Sequence, residues 1–255
     1  MQRYIQIPRF THVYSIIQTR GFTGDPKLMP IYECMIKKMS HYNDTIKFCM
    51  QWGDEFVNKK GILFCGRANN GWVSFSDDVN VLFDENNPER SFNRENQMSW
   101  LNDEYADNGE EKGYRLSRSS FIRSLRKIGY EIFGESWTRK SAWTNLYKIA
   151  PNGKNPSNSM CSDQLKSCID IFKEELAFLK PRAVVMLVGY NWALDFLKAL
   201  NGGEEPAAVD REYWDKYESK VFKLANTLFI VSEHPQGKKE TPHIEAITKL
   251  TKKYS

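Results

Sequence analysis

The chain has 255 residues, 41% of them hydrophobic, and a formal net charge of +4 at pH 7. This length supports one large domain, and no apolar run approaches the roughly 20 residues that span a bilayer. The mild positive charge permits a nucleic-acid partner without requiring one. We expect a single domain over residues 1–255 outside the membrane, and without a visible secretory signal we expect it in the cytoplasm.

The five cysteines favour neither a disulfide framework nor a metal site. Their number is odd, and none are spaced as C-x-x-C. Cys161 and Cys168 lie seven positions apart, on one face of a predicted helix, which favours core packing over metal ligation. We expect reduced thiols and no bound metal.

The N-terminal part of the chain, residues 1–60, predicts a helical lead-in. Apolar residues recur at helix-like spacing from Ile31 to Met39 and again from Ile46 to Val57. The short apolar run at 62–65 then predicts a buried strand that leads into a glycine.

The next part of the chain, residues 73–117, is rich in charged and loop-forming residues and predicts an irregular insertion. Regular spacing returns at 117–133, where apolar residues share one face of a predicted helix. Ser119 or Ser120 is the expected N-cap, and Gly134 is expected to end the helix.

From residue 141 onward, strand and helix patterns alternate as a doubly wound sheet requires. The apolar runs predict strands at 142–146, 183–188 and 226–231, and amphipathic patterns predict helices at 161–176, at 192–200 and after Pro242.

Three polar loops directly follow predicted strands: 66–72, 145–156 and 234–237. In open parallel sheets the ligand crevice lies beyond the carboxyl ends of the strands. The candidate site is therefore expected among these loops.

Each loop carries a residue with suitable chemistry and an ordinary structural alternative. Backbone N–H groups of the 66–72 loop suit a polar ligand, but an ordinary turn fits equally, and the loop is neither G-x-G-x-x-G nor a Walker loop. The Asn145 carboxamide can donate and accept towards a base edge, or cap a turn. His234 precedes a stiffening proline and is either a site residue or a structural histidine. His12, His41 and His243 lack such a setting, and we expect structural roles for them.

Four segments taken together resemble the uracil-DNA glycosylase superfamily: 62–69, 144–148 with Asn155 and Pro156, 179–189, and 234–236. The resemblance covers residues 61–72 and 141–250. It implies a three-layer α/β/α fold with a central, mostly parallel four-stranded sheet. It also implies a hydrolase that cleaves the N-glycosidic bond of uracil or another modified base in DNA, with the target nucleotide flipped out of the helix.

The same resemblance implies roles for individual residues. His234 and Asn69 would be catalytic, with His234 donating to the carbonyl oxygen of the departing base. Asn145 would read the base edge, and either Phe75 or Trp72 would stack on it. The other implied residues are Gly66, Arg67 and Ala68 on the water and sugar side, and Lys238 and Lys239, which either meet DNA phosphates or form a solvated basic turn.

The chain also departs from the family pattern. Ala68 stands where the most efficient branch has an aspartate that orients water, Asn69 replaces a loop proline, and Gln236 replaces a serine. Ile149 stands where several branches place a cluster cysteine, so no iron-sulfur cluster is expected, and no other cofactor. Two alternatives stay open: a catalytically silent nucleic-acid or nucleotide-binding protein of the same fold, and an enzyme that acts on a small nucleoside-like substrate.

Overall fold

The computed structural model describes residues 27–68, 76–83, 97–106 and 114–254. Within these ranges the α-helices are α1 (Leu28–Met39), α2 (Val79–Phe83), α3 (Ser120–Phe133), α4 (Trp137–Lys140), α5 (Asn158–Leu179), α6 (Tyr190–Leu200) and α7 (Glu240–Lys253). The strands are β1 (Thr45–Lys47), β2 (Gln51–Trp52), β3 (Ile62–Gly66), β4 (Tyr105–Ala106), β5 (Tyr114–Arg115), β6 (Ser141–Asn145), β7 (Ile149–Pro151), β8 (Ala183–Leu187), β9 (Asp210–Trp214), β10 (Tyr217–Leu224) and β11 (Thr227–Ser232). None of these helices is both long enough and apolar enough to cross a membrane.

The main sheet has seven strands in the order β2-β6-β3-β8-β11-β10-β9. The four strands predicted from the sequence, β6, β3, β8 and β11, are adjacent and parallel. The remaining three, β2, β10 and β9, pair antiparallel at the edges. The expectation of a four-stranded, mostly parallel sheet is therefore corrected to a seven-stranded mixed sheet. Edge strand β9 was missed because buried and exposed positions mix along it, unlike the continuous apolar runs of the central strands.

Alternate residues of each central strand enter two different cores. In β3, Leu63 and Cys65 pack with α1, α5 and α6, whereas Ile62 and Phe64 pack with α3 and α7. Successive side chains of a strand point to opposite faces, so helices cover both faces of the sheet. The chain thus forms three layers, α/β/α.

The helices predicted after residue 117 are confirmed, with small shifts of their ends. The Ser119 side chain caps α3 by accepting from the backbone N–H of Ile122, and α3 ends at Gly134, whose φ is 62°. The Ser157 side chain caps α5 in the same way, so that helix begins earlier than its apolar stripe suggested.

The helical lead-in is only partly correct. The α1 helix confirms the helix predicted from Ile31 to Met39, but the helix predicted from Ile46 to Val57 is wrong, because the chain there forms β1 and β2. Lys47 pairs with Ile149 in β7, and Gln51 pairs with Trp143 in β6. The apolar spacing that resembled a helix comes from two short strands that meet different partners. Residues 1–26 lie outside the described residues, as does much of the expected insertion at 73–117.

Candidate active site

The carboxyl ends of the central strands bring three predicted site residues together. Gly66 ends β3 and Asn145 ends β6, and the two are partners in the strand register. His234 follows β11 by two residues. Because all of these strands are parallel, their loops meet at one edge of the sheet.

A cavity of about 350 Å³ opens at this edge. Its described lining residues are Gly66, Arg67, Ala68, Arg118, Ser119, Ser120, Phe121, Ile122, Trp143, Asn145, Gly153, Lys154, Asn155, His234 and Gln236. Glycine, aromatic, amide and cationic groups therefore surround a space large enough for a planar heterocycle.

His234 is a neutral hydrogen-bond donor in this cavity. Burial, assisted by the positive charges of Arg67 and Lys238, lowers the pKa of His234 to about 4. The backbone N–H of Gln236 donates to Nδ1 at 3.3 Å. A neutral imidazole carries a single proton, and Nδ1 is used as the acceptor, so this hydrogen bond assigns the proton to Nε2.

Asn145 presents a buried amide with unused hydrogen-bonding capacity. The side chain is 1% exposed, and its Nδ2 has no hydrogen-bond partner among the described residues. A Cβ atom built on Gly66 would lie 2.3 Å from Asn145 Oδ1, so only glycine leaves room for this amide. An unsatisfied buried donor costs roughly 1–3 kcal/mol, and a ligand carbonyl would recover part of that cost.

A closed polar network lies directly beneath Asn145. The ammonium of Lys148 donates to the backbone oxygen of Asn145 at 2.8 Å, to Thr144 Oγ1 at 2.6 Å and to Glu175 Oε1 at 2.7 Å. The hydroxyl of Thr144 donates to Glu175 Oε2 at 2.8 Å. Both charged side chains are fully buried; burial raises the pKa of Glu175, and Lys148 opposes that rise. The network fixes the backbone from which the Asn145 amide projects.

Arg67 places a positive charge beside His234, in addition to that of Lys238. Its Nε donates to the backbone oxygen of Val188 at 2.6 Å, and its guanidinium lies 5.0 Å from the ring centroid of Trp192. Burial lowers the pKa of Arg67, and Glu233 opposes this effect. The guanidinium stays charged at neutral pH, because arginine remains protonated in proteins.

Lys238 and Lys239 are not among the described residues that line this cavity. Lys238 Nζ lies 3.7 Å from the carboxylate of Glu233, and Lys239 Nζ lies 4.0 Å from Asp215. The other predicted residues, Asn69, Trp72 and Phe75, lie outside the described residues.

The cavity also contains residues that the sequence did not single out. Phe121, in the first turn of α3, lies nearly parallel to the His234 ring, with centroids 6.5 Å apart and planes 13° apart. Sequence reasoning assigned Phe121 only to the apolar face of a helix. The Ser119 cap could have identified Phe121 from the sequence, because it marks the first turn of the helix, where Phe121 lies. Lys154 and Asn155 belong to a loop that was predicted to border the site.

The fold and this cavity define an α/β protein with a polar cavity at the carboxyl edge of its parallel strands, where ligands of such sheets bind. A family model described as the uracil DNA glycosylase superfamily matches residues 53–249. The chain belongs to this superfamily, which confirms the resemblance carried by the four sequence motifs. The comparison with curated proteins finds no match to this chain.

Proposed function

We propose that this protein hydrolyses the N-glycosidic bond of uracil or another modified base in DNA. One observation carries the proposal: Nδ2 of Asn145, which has no partner in the described part of the chain, and the Nε2–H donor of His234 belong to residues that line the same cavity. Two such donors suit a base that presents carbonyl oxygens and has been flipped out of the helix.

The chemistry needs a donor where negative charge develops. When the bond between C1′ of the sugar and the base nitrogen breaks, the electron pair leaves with the base and spreads onto its carbonyl oxygen. Water adds to C1′, and the proton that it loses passes through solvent to the departing base anion, which gives the free base and a sugar with a 1′-hydroxyl group. A hydrogen bond from His234 Nε2 stabilises the departing base, and the nearby charge of Arg67 acts in the same direction.

Recognition of the base rests on an amide and an aromatic ring. Nδ2 of Asn145 donates to a carbonyl on the base edge, and the face of Phe121 offers a stacking surface. Gly66 and Ala68 border the sugar, with Asn69 on the water side and Phe75 or Trp72 as further stacking candidates. Lys238 and Lys239 contact phosphates of the DNA.

A second candidate function is base binding without hydrolysis. No aspartate or glutamate occurs among the described residues that line the cavity. A protein that holds a flipped base but lacks a group to orient water would bind lesions and release nothing. This observation favours the catalytically silent alternative over an enzyme that acts on a small nucleoside.

The test is base release from uracil-containing oligonucleotides, both single-stranded and mismatched. We expect release by the purified protein, and His234→Ala should slow it by about 100-fold or more because a donor to the leaving group is lost. Asn145→Ala should weaken both binding and release. His41→Ala is the matched control, because the side chain of His41 is 60% exposed and lies outside the cavity lining.

Three outcomes separate the candidates. Release that depends on His234 supports the glycosylase. Tight binding without release across several lesions supports the silent binder and contradicts the enzyme. If neither binding nor release occurs, both candidates fail.

A further inference from the structure

The antiparallel strands β9 and β10 extend the sheet beyond the cavity on the side of His234. Because β10 runs antiparallel to β11, its first residue, Tyr217, lies at the same edge of the sheet as the cavity. The pair Lys220 and Val231 fixes the register, and continuing it to Tyr217 reaches the level of His234. The turn between β9 and β10 therefore stands next to the candidate site.

A groove of about 460 Å³ lies on this extension, and its lining alternates tyrosines with cations. Tyr213 is 67% exposed, which leaves its ring available for stacking. Lys216 Nζ and Lys238 Nζ lie 5.6 Å and 5.0 Å from the centroid of the Tyr217 ring. Glu218 is bound by Arg211 at 3.3 Å and by Lys220 at 2.8 Å.

The groove and the cavity share a wall. Glu233 lines the groove and directly precedes His234, and Lys238 connects the two by contacting both Glu233 and the Tyr217 ring. Among the residues that line the groove, three cations, Arg211, Lys216 and Lys220, outnumber two carboxylates, Glu218 and Glu233, so the lining keeps a small excess of positive charge.

We propose that this groove, which lies over β9 and β10, binds a single-stranded stretch of nucleic acid on one side of the nucleotide that enters the cavity. Exposed aromatic rings interleaved with cations are the features that bind single strands, because every base has a face that stacks and every linkage carries a negative charge. Tyr213 receives a base, and Lys216 meets the backbone. The proposal rests on the proposed function only in taking DNA as the molecule that enters the cavity.

The first test measures binding of a thymine-only, single-stranded oligonucleotide to the full chain by fluorescence anisotropy. Tyr213→Ala should weaken binding by about 10-fold, because one stacked base is lost. Lys216→Gln should reduce the slope of log affinity against log salt by about one.

The matched control is Tyr130→Ala, which removes another tyrosine, 56% exposed, from a separate cavity of about 810 Å³ next to α7. It should change affinity less than twofold. Thermal melting of each variant checks the fold. A loss with Tyr130→Ala but not with Tyr213→Ala would overturn the proposal, as would equal affinities for all variants or no binding by the wild type.

A second test uses the one-sided position of the groove. Oligonucleotides that carry uracil at the 5′ end, at the 3′ end or in the middle should differ, because only one flank reaches β9 and β10. If the protein releases base from these substrates, equal binding of the two that carry uracil at opposite ends contradicts the proposal. If Tyr213→Ala weakens binding but no substrate releases base, the result supports the proposed groove and contradicts the glycosylase activity. The two proposals are therefore tested separately.

Discussion

Two histidines near the end of the chain, His234 and His243, both have a lowered pKa but lie in different surroundings. Burial lowers the pKa of both His234 and His243 to about 4. His234 lines the cavity, whereas His243 is fully buried and stacks on Trp214 at 4.1 Å between centroids. A lowered pKa therefore does not separate a site residue from a structural one.

The hydrogen bonds of His243 show why it belongs to the scaffold. Trp214 Nε1 donates to Ser219 Oγ at 3.0 Å, the hydroxyls of Ser219 and Ser232 lie 2.7 Å apart, and Ser232 Oγ lies 2.8 Å from His243 Nε2. This chain of hydrogen bonds holds the His243 ring through Nε2 and leaves Nδ1 outside the chain. That atom has no partner within the described residues, yet it faces packed protein. The difference at Asn145 is that its Nδ2, which also lacks a partner within the described residues, adjoins a cavity.

The largest expected effect is a loss of stability when the closed network that supports Asn145 is broken. Lys148→Met should lower the free energy of unfolding by about 3–5 kcal/mol, because it leaves the carboxylate of Glu175 buried without its partner. Lys166→Met is the matched control: the Lys166–Asp170 pair has the same 2.7 Å separation, but Lys166 is 90% exposed. Its loss should change the free energy of unfolding far less, because water screens an exposed ion pair. Urea denaturation measures both, and equal losses would show that burial does not control the Lys148 pair.

The next effect is a dependence of stability on pH. The unfolded histidines titrate near 6.5 and the folded ones near 4, so between these values the unfolded chain binds more protons. The free energy of unfolding should be highest above pH 6.5 and fall as the pH drops towards 4, by up to roughly 3 kcal/mol for His243. His234 should contribute less, since water reaches its ring. Urea denaturation between pH 7.5 and 4.5 measures the slope, and His243→Ala should reduce it. An unchanged slope would contradict these pKa values.

The smallest expected effect is a loss of stability that leaves base release unchanged. His243→Ala should lower the free energy of unfolding by about 2 kcal/mol at pH 7.5, through loss of the Trp214 stacking and of the hydrogen bond to Ser232. Base release by the folded variant should match that of the wild type. A large loss of release at full stability would place His243 in the reaction and remove the distinction between the two histidines.

Much of this molecule could be predicted from local sequence patterns. The apolar runs of β3, β8 and β11, the mixed pattern of β6 and the Ser119 cap of α3 are local signals, and they identified the central strands and a main helix correctly. The loops after those strands carried His234 and Asn145, because strand ends in a parallel sheet share one edge.

Other features depended on contacts between distant parts of the chain. Glu175 meets Lys148 across 27 positions, and Phe121 reaches the His234 ring across more than a hundred, so no local pattern reports either contact. Strands β1 and β2 resembled one helix in sequence. Their apolar positions are set by pairing with two different strands, β7 and β6, and a local pattern does not show those partners. Local signals thus predicted the four central strands and the two polar residues, Asn145 and His234, at one edge of the sheet. The shape of the cavity, the buried charges beneath it and the groove beside it depend on packing between distant parts of the chain.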